Sequence, residues 1–458
     1  MAMKTLFKDG TIVTMNRRRE ILQKANILIE DDRIEKIFQG EASGDKVADR
    51  VFDCQGKIII PGLISAHTHL TGLFQRGLWD EPSFESWSQK SAATEKFLDF
   101  SPDDIHLIHS AACIELIRHG VTTALNMFTT PSKNTLNCVK AACQAFADSG
   151  IRGILALAVK DQAPDNSATI GERHSLEAWT ERAREACQAV KSFGARVSFA
   201  LAPSAPQRCS DRLLIACRDL ADELDVGMHT HLAESRNHAQ VGRELYGEPI
   251  VHHLAKLGLL SPMLSVAHAI WIDDEEISLL KRHDVGVVHN PSSNMKMGSG
   301  VARIKKMLGE GLAVGLGADS VNAATTYSIF EQMKLAVLLP RTHWGPEDWV
   351  VPSEAFAMGS AGGARALQLD AMIGSIEEGK KADLIILNPT SALTPRNALV
   401  DELALCENGN SVESVFVDGN PVLVDGKITA VDEAAIRAGL ADMEPKIAHA
   451  KNVLLQSR

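Results

Sequence analysis

Two histidines one residue apart, His67 and His69, follow the apolar run Ile58-Ile59-Ile60-Pro61-Gly62-Leu63-Ile64. Alternate residues of a strand point to the same side. Near a strand end, both imidazoles can therefore aim at one point. That geometry suits a metal such as zinc, which takes nitrogen ligands readily. Taken alone, the pair is equally well read as two unrelated surface histidines, because short motifs match by chance. Similar residues recur further along: His229-Thr230-His231-Leu232-Ala233-Glu234, Ala267-His268 and Gly317-Ala318-Asp319.

The elements that must position these residues are strands alternating with helices. Strand-like runs fall at 58–66, 121–127, 151–159, 196–202, 226–231, 263–268, 285–290 and 312–318. Helix-like stretches lie between them, among them 103–119, 134–149, 175–193, 210–224, 273–283 and 301–309. This alternation predicts an α/β fold built on a (β/α)8 barrel of the TIM type. The competing arrangement, a doubly wound open sheet, is weakened because no Gly-x-Gly-x-x-Gly follows an early strand. Catalytic groups on barrels sit at the C-terminal ends of different strands. His67, His69, His231, His268 and Asp319 all fall there on the strand reading alone, which raises the metal reading well above chance.

The two ends of the chain have a different texture. Asp9-Gly10 reads as a hairpin turn, and Asn26–Glu30 followed by Asp31-Asp32 reads as a strand and turn. Strand-like runs return at Ala382–Leu387, Ser414–Gly419 and Val422–Gly426. We expect both ends to meet in one small β-sandwich, with two separate β modules as the alternative. The expected divisions are 1–60 for the first part of the sandwich, 61–365 for the barrel, and 366–458 for the second part and a C-terminal helix. Residues 70–100 read as a long loop carrying Phe74, Trp79, Phe84 and Trp87, placed either to cover a ligand or to pack onto the barrel.

Composition excludes several function classes. The 458 residues are 45% hydrophobic and 23% charged, as in ordinary globular proteins. The net charge of -11 argues against nucleic-acid or anionic-membrane partners and leaves a small-molecule substrate. Eight cysteines without a Cys-x-x-Cys pair read as reduced thiols of a cytoplasmic protein. The first residues lack the apolar core of a signal peptide, and no apolar run reaches the length of a membrane span.

With these residues in place, the sequence resembles the amidohydrolase superfamily. Within it, the resemblance is to the group holding triazine hydrolases (chlorohydrolase-like) and deaminases of N-heterocycles. The motifs that carry it are Pro61–His69, His231-Leu232-Ala233-Glu234, Ala267-His268, His289–Gly300, Gly317-Ala318-Asp319 and Gly374–Leu384. The resemblance implies one divalent metal, zinc or alternatively iron, held by His67, His69, His231 and Asp319. A bound divalent ion lowers the pKa of its water to roughly 7. Asp319 would accept that water's proton, His268 would orient the attack, and Glu234 would protonate the ring nitrogen and then the leaving amine. A plainer reading makes Glu234 a helix-start residue. His229 shares the face of His231 and would lie deeper, as packing or support. Lys160 is read as ordinary, because the Glu234 motif marks the mononuclear group. The resemblance also implies a homodimer or larger assembly.

The substrate pocket is read from the same motifs. Gln75 and Trp87 match the substrate loop, Ser204 and Gln207 follow the fourth strand, and His289 and Asn294 are either pocket or structural residues. Adenosine-type deaminases of this group typically carry histidine where Ser204 stands. They also differ from Ser320–Ala324 after the metal aspartate, and both departures point away from an adenosine-type substrate. The expected activity is hydrolytic deamination of a purine- or pterin-like base such as guanine, 8-oxoguanine or isoxanthopterin. The alternatives are an s-triazine-type hydrolase releasing chloride or alkylamine, and a deaminase of S-adenosylhomocysteine or methylthioadenosine. A metal-free barrel acting as a binding protein represents a different class. The other histidines, His106, His109, His119, His174, His238, His252, His253, His283, His343 and His449, read as exposed or core.

Overall fold

The structure is a computed structural model that describes residues 2–40, 48–81, 83–130, 135–163 and 175–456. His174 therefore lies outside the described residues. Eight strands pair in chain order: β1 (Leu63–Thr68), β2 (Val121–Phe128), β3 (Arg152–Val159), β4 (Val197–Pro203), β5 (Gly227–Leu232), β6 (Leu264–His268), β7 (Gly286–His289) and β8 (Val314–Leu316). Every neighbouring pair is parallel. A parallel bridge between Thr68 and Asp319 joins the last strand to the first, and the Asp319 amide donates to the His67 carbonyl at 3.0 Å. The sheet is thus a nearly closed barrel. At the closure Gly317 has no substitute, since a Cβ there would lie 2.2 Å from Asn290 Oδ1 and 2.9 Å from the His67 carbonyl.

Strand alternation decides what each face meets. On β2, Leu125 and Met127 fill the barrel interior with Ile154, Ala156, Ala200 and Ala202. Ala124 and Phe128 point outward and join the core under the surrounding helices. Because both faces are covered, these strands read as unbroken apolar runs. Each fully buried Leu, Ile or Phe contributes roughly 1.5–3 kcal/mol.

The chain ends form a separate mixed sheet of nine strands among the described residues, running from Arg33–Gln39 at one edge to Lys427–Ile428 at the other. Ile58–Pro61 is its central junction, pairing with Lys4–Val13 on one side and Leu384–Leu387 on the other. The sheet curls over an apolar core in which Phe7 stacks on Phe52 at 5.3 Å and meets the edge of Phe416 at 4.8 Å. The last described element is a helix, Glu433–Gln456.

Three local expectations are corrected. The run 58–66 is two strands in two different sheets, divided at Gly62, where a Cβ would collide with the Thr122 side chain at 2.1 Å. Asp9-Gly10 is a bulge inside the continuous strand Lys4–Val13 rather than a hairpin turn, with Asp9 in the left-handed region at φ 59°. Residues 70–100 are largely helical: a 3-10 turn at Leu70–Gln75 precedes helix α1 (Phe84–Leu98), which Ser83 caps by accepting from the Ser86 amide.

Candidate metal centre and active site

The predicted ligands converge at the C-terminal end of the barrel. His67 lies inside the end of β1 and His69 just beyond it, while His231 is the second-last residue of β5 and Asp319 follows β8. Ligand atoms of His67, His69 and His231 lie within 4.8 Å of one another, as do those of His67, His268 and Asp319. His69 Nε2 is 3.2 Å from His231 Nε2, and Asp319 Oδ1 is 3.6 Å from His67 Nε2 and 3.8 Å from His69 Nε2.

The opposite ring nitrogens hold these atoms in place. His69 Nδ1 donates to the Met127 carbonyl at 2.9 Å, and His231 Nδ1 donates to the Ser204 carbonyl at 2.6 Å. A carbonyl can only accept, so each Nδ1 carries the proton and each Nε2 presents a lone pair. His67 Nδ1 faces His229 Nε2 at 2.8 Å, which places His229 directly beneath the cluster.

Electrostatics suit a cation. Burial pushes His67 down to about 4 against the pull of Asp319, and lowers His69 and His231 as well. These rings are neutral near pH 7, the state a metal needs. Burial raises the Asp319 carboxyl, but His67, His268 and His69 outweigh it and hold it well below the usual carboxylate range. Among the described residues, His67 Nε2 and His268 Nε2 are buried without a hydrogen-bond partner. Such orphaned atoms are costly unless something fills the space. Three imidazole nitrogens and a carboxylate fit a divalent ion of the zinc kind.

The proposed acid and base flank one imidazole. His268 Nδ1 is 2.9 Å from Asn294 Oδ1, which turns His268 Nε2 towards Glu234 Oε1 and Asp319 Oδ2, each 3.8 Å away. The helix after β5 (Arg236–Tyr246) is capped by Ser235, which accepts from the His238 amide. Glu234 is therefore free of the capping role and is turned into the site. Ala233, His268 and Asp319 take positive φ values of 42°, 72° and 56°. Strain of this kind costs about 1–3 kcal/mol per residue and collects where a side chain must be aimed.

Helix α1 lies over the site. Glu85 meets Ser235, Ser91 meets Asn322, and Trp87 packs near Met297 and Ala323. Gln75 is buried and spends its amide nitrogen on the Ser91 carbonyl and Glu95, leaving Oε1 without a partner. Ser204 acts through its carbonyl on His231. Gln207 is buried after β4, and His289 is buried beside His268, with burial pushing it down to about 3. Asn294 gives its side chain to His268. Sequence reasoning missed Asn126: it accepts from the Leu70 amide at 3.0 Å, and its amide reaches the buried His109, fixing the backbone just past His69. A polar residue inside the apolar run of β2 was the available signal. Ser265, beneath His229, shows the same signal inside the run Leu264–Ala267.

The Amidohydrolase family matches this chain over residues 58–422. The chain belongs to the amidohydrolase family. A 5-methylthioadenosine/S-adenosylhomocysteine deaminase of Syntrophomonas wolfei is 30% identical over 97% of this amidohydrolase and 99% of its own length. An adenosine deaminase of Xanthomonas campestris with bound zinc has the same fold, with a TM-score of 0.88, 23% identity and coverage of 98% and 99%. An atrazine chlorohydrolase of Arthrobacter aurescens, complexed with zinc, matches with a TM-score of 0.87, 24% identity and coverage of 96% and 99%. This amidohydrolase is a hydrolytic enzyme of the deaminase type acting on C–N bonds. Among the described residues no helix is long and apolar enough to cross a membrane.

Proposed function

We propose that this amidohydrolase removes the exocyclic amine of a purine- or pterin-like ring as ammonia, using one divalent ion, zinc first, held by His67, His69, His231 and Asp319. The carrying observation is the pair of carboxylates, Glu234 and Asp319, each 3.8 Å from His268 Nε2. When bound, the ion would supply an acidified water. Asp319 takes the proton of the attacking water. His268, held by Asn294, positions the attack at the ring carbon. Glu234 donates to the ring nitrogen and then to the departing amine. An amine needs that proton to leave and chloride does not, so Glu234 favours deamination over dehalogenation.

A second reading, with methylthioadenosine or S-adenosylhomocysteine as substrate, is favoured by the name and full-length coverage of the Syntrophomonas relative. Ser204, where adenosine-type enzymes typically carry histidine, supports the free-base reading. Ammonia release by zinc-loaded enzyme over guanine, 8-oxoguanine, isoxanthopterin, methylthioadenosine and S-adenosylhomocysteine tests both. Release from a free base supports the first reading, and release from the nucleosides alone supports the second. Glu234→Gln should lower turnover roughly 10²–10⁴-fold with zinc still bound. Release from none of the rings, with zinc at the site, would overturn the deaminase proposal and direct the assay to chloride.

A further inference from the structure

His67 differs from the other two histidines of the cluster in what lies behind it. His69 and His231 rest on carbonyls, which accept only. His67 rests on another imidazole, His229, which can either accept or donate. If His229 donated, the proton of His67 would sit on Nε2 and point at the ion's place. The direction is set one residue deeper. His229 Nδ1 is 2.7 Å from Ser265 Oγ, and Ser265 Oγ is 3.4 Å from the Met228 carbonyl.

We infer that His229 and Ser265 are positioning residues that set the metal affinity of His67, by holding its proton on Nδ1 so that Nε2 presents a lone pair. This inference rests on the metal reading above. The chain of bonds has one consistent direction. The Met228 carbonyl accepts the Ser265 hydroxyl proton. The Ser265 lone pair accepts from His229 Nδ1–H, and His229 Nε2 accepts from His67 Nδ1–H. Each of these contacts holds one proton, so the chain runs in a single direction, and the Met228 carbonyl, which can only accept, sets it. Ser265 also lines a cavity of about 780 Å3 at the other end of the barrel, among Met228, Met263 and Leu367–Leu369. Ser265 acts on His67 only through His229, so the Ser265 link is the weaker of the two.

The test is the zinc dissociation constant, measured by competition with a chromogenic chelator at fixed pH. Unfolding of each metal-free variant serves as the control for fold. His229→Leu keeps the volume and removes the acceptor, and zinc binding should weaken about 10–100-fold. His229→Gln places an amide oxygen near the lost Nε2 and should recover most of that affinity. Ser265→Ala should weaken binding by less than His229→Leu, and it tests the same chain should His229→Leu not fold. Wild-type affinity in His229→Leu, or in Ser265→Ala where the former does not fold, would overturn the inference. Equal losses in His229→Leu and His229→Gln would also overturn it, because packing rather than the hydrogen bond would then be responsible. A wild-type chain that takes up no zinc would overturn the metal reading itself, a result separate from any difference between variants.

Discussion

Two buried clusters of ionisable side chains lie in different parts of this barrel, and they are built on opposite plans. Where the barrel meets the end sheet, Arg152 Nη2 reaches Asp383 at 3.2 and 3.3 Å and Asp418 at 2.5 Å. Asp383 also accepts from the Asp418 amide at 2.9 Å, and Arg196 approaches Asp418 at 3.9 Å. There, opposite charges close on one another. At the C-terminal end, four histidines and Asp319 crowd together, and among the described residues the Nε2 atoms of His67 and His268 find no hydrogen-bond partner. Buried charge survives only when compensated. The first cluster compensates its own charges, although Arg152 Nε is buried without a hydrogen bond, and acts as a clasp between sheets. The second leaves atoms unsatisfied in a common space, as expected of a site that takes a ligand.

The largest effect should come from breaking the open cluster. Asp319→Asn removes the only carboxylate among the proposed ligands and the proposed base together. Turnover should fall roughly 10²–10⁴-fold or more, and zinc affinity should fall with it, while the metal-free variant unfolds close to wild type. Unchanged zinc affinity would remove Asp319 from the ligand set. Breaking the closed cluster should do the reverse. Arg152→Met leaves two buried carboxylates facing each other and should cost about 3–5 kcal/mol of stability in denaturant unfolding. Turnover per folded molecule should stay near wild type. A selective loss of turnover without loss of stability would mean that the clasp takes part in the chemistry.

The open cluster also sets the pH response of the metal-free protein. Burial pushes His67 and His109 down to about 4 and His289 to about 3, against about 6.5 in the unfolded chain. Between about 6.5 and 4 the unfolded chain binds more protons, so stability rises with pH across that window. Acidification from 7 towards 4 should lower stability by up to about 1.4 kcal/mol per pH unit for each such histidine. Zinc-loaded protein should resist until protons displace the ion. Identical acid unfolding of the two forms would argue against zinc binding to these rings.

The barrel was legible because its strands are buried on both faces and so stand out as apolar runs ending in polar residues. The division of 58–66 was not legible. Ile58–Pro61 leaves the barrel to pair with Leu384–Leu387, a partner more than 300 residues away in sequence. No local pattern marks that choice except Pro61-Gly62. The candidate ligands were legible from their types and strand-end positions, and the family resemblance chose His67, His69, His231 and Asp319 among them. Their supports were less so, since the carbonyls of Met127 and Ser204 have no side-chain signature. Asn294 was read as a pocket or structural residue, and the structure gives its side chain to His268. The two-residue spacing of His229 and His231 did point to an imidazole on the same face. The role of Ser265 became visible only through the pairing of β5 with β6, which sets it opposite His229.

The most direct test is the metal content of purified, zinc-loaded and dialysed protein, compared with His69→Ala and His231→Ala. One ion per chain is expected in the wild type, with near-complete loss in both variants. A wild type without bound metal, or variants that keep it, would contradict the assignment of this cluster as the metal centre.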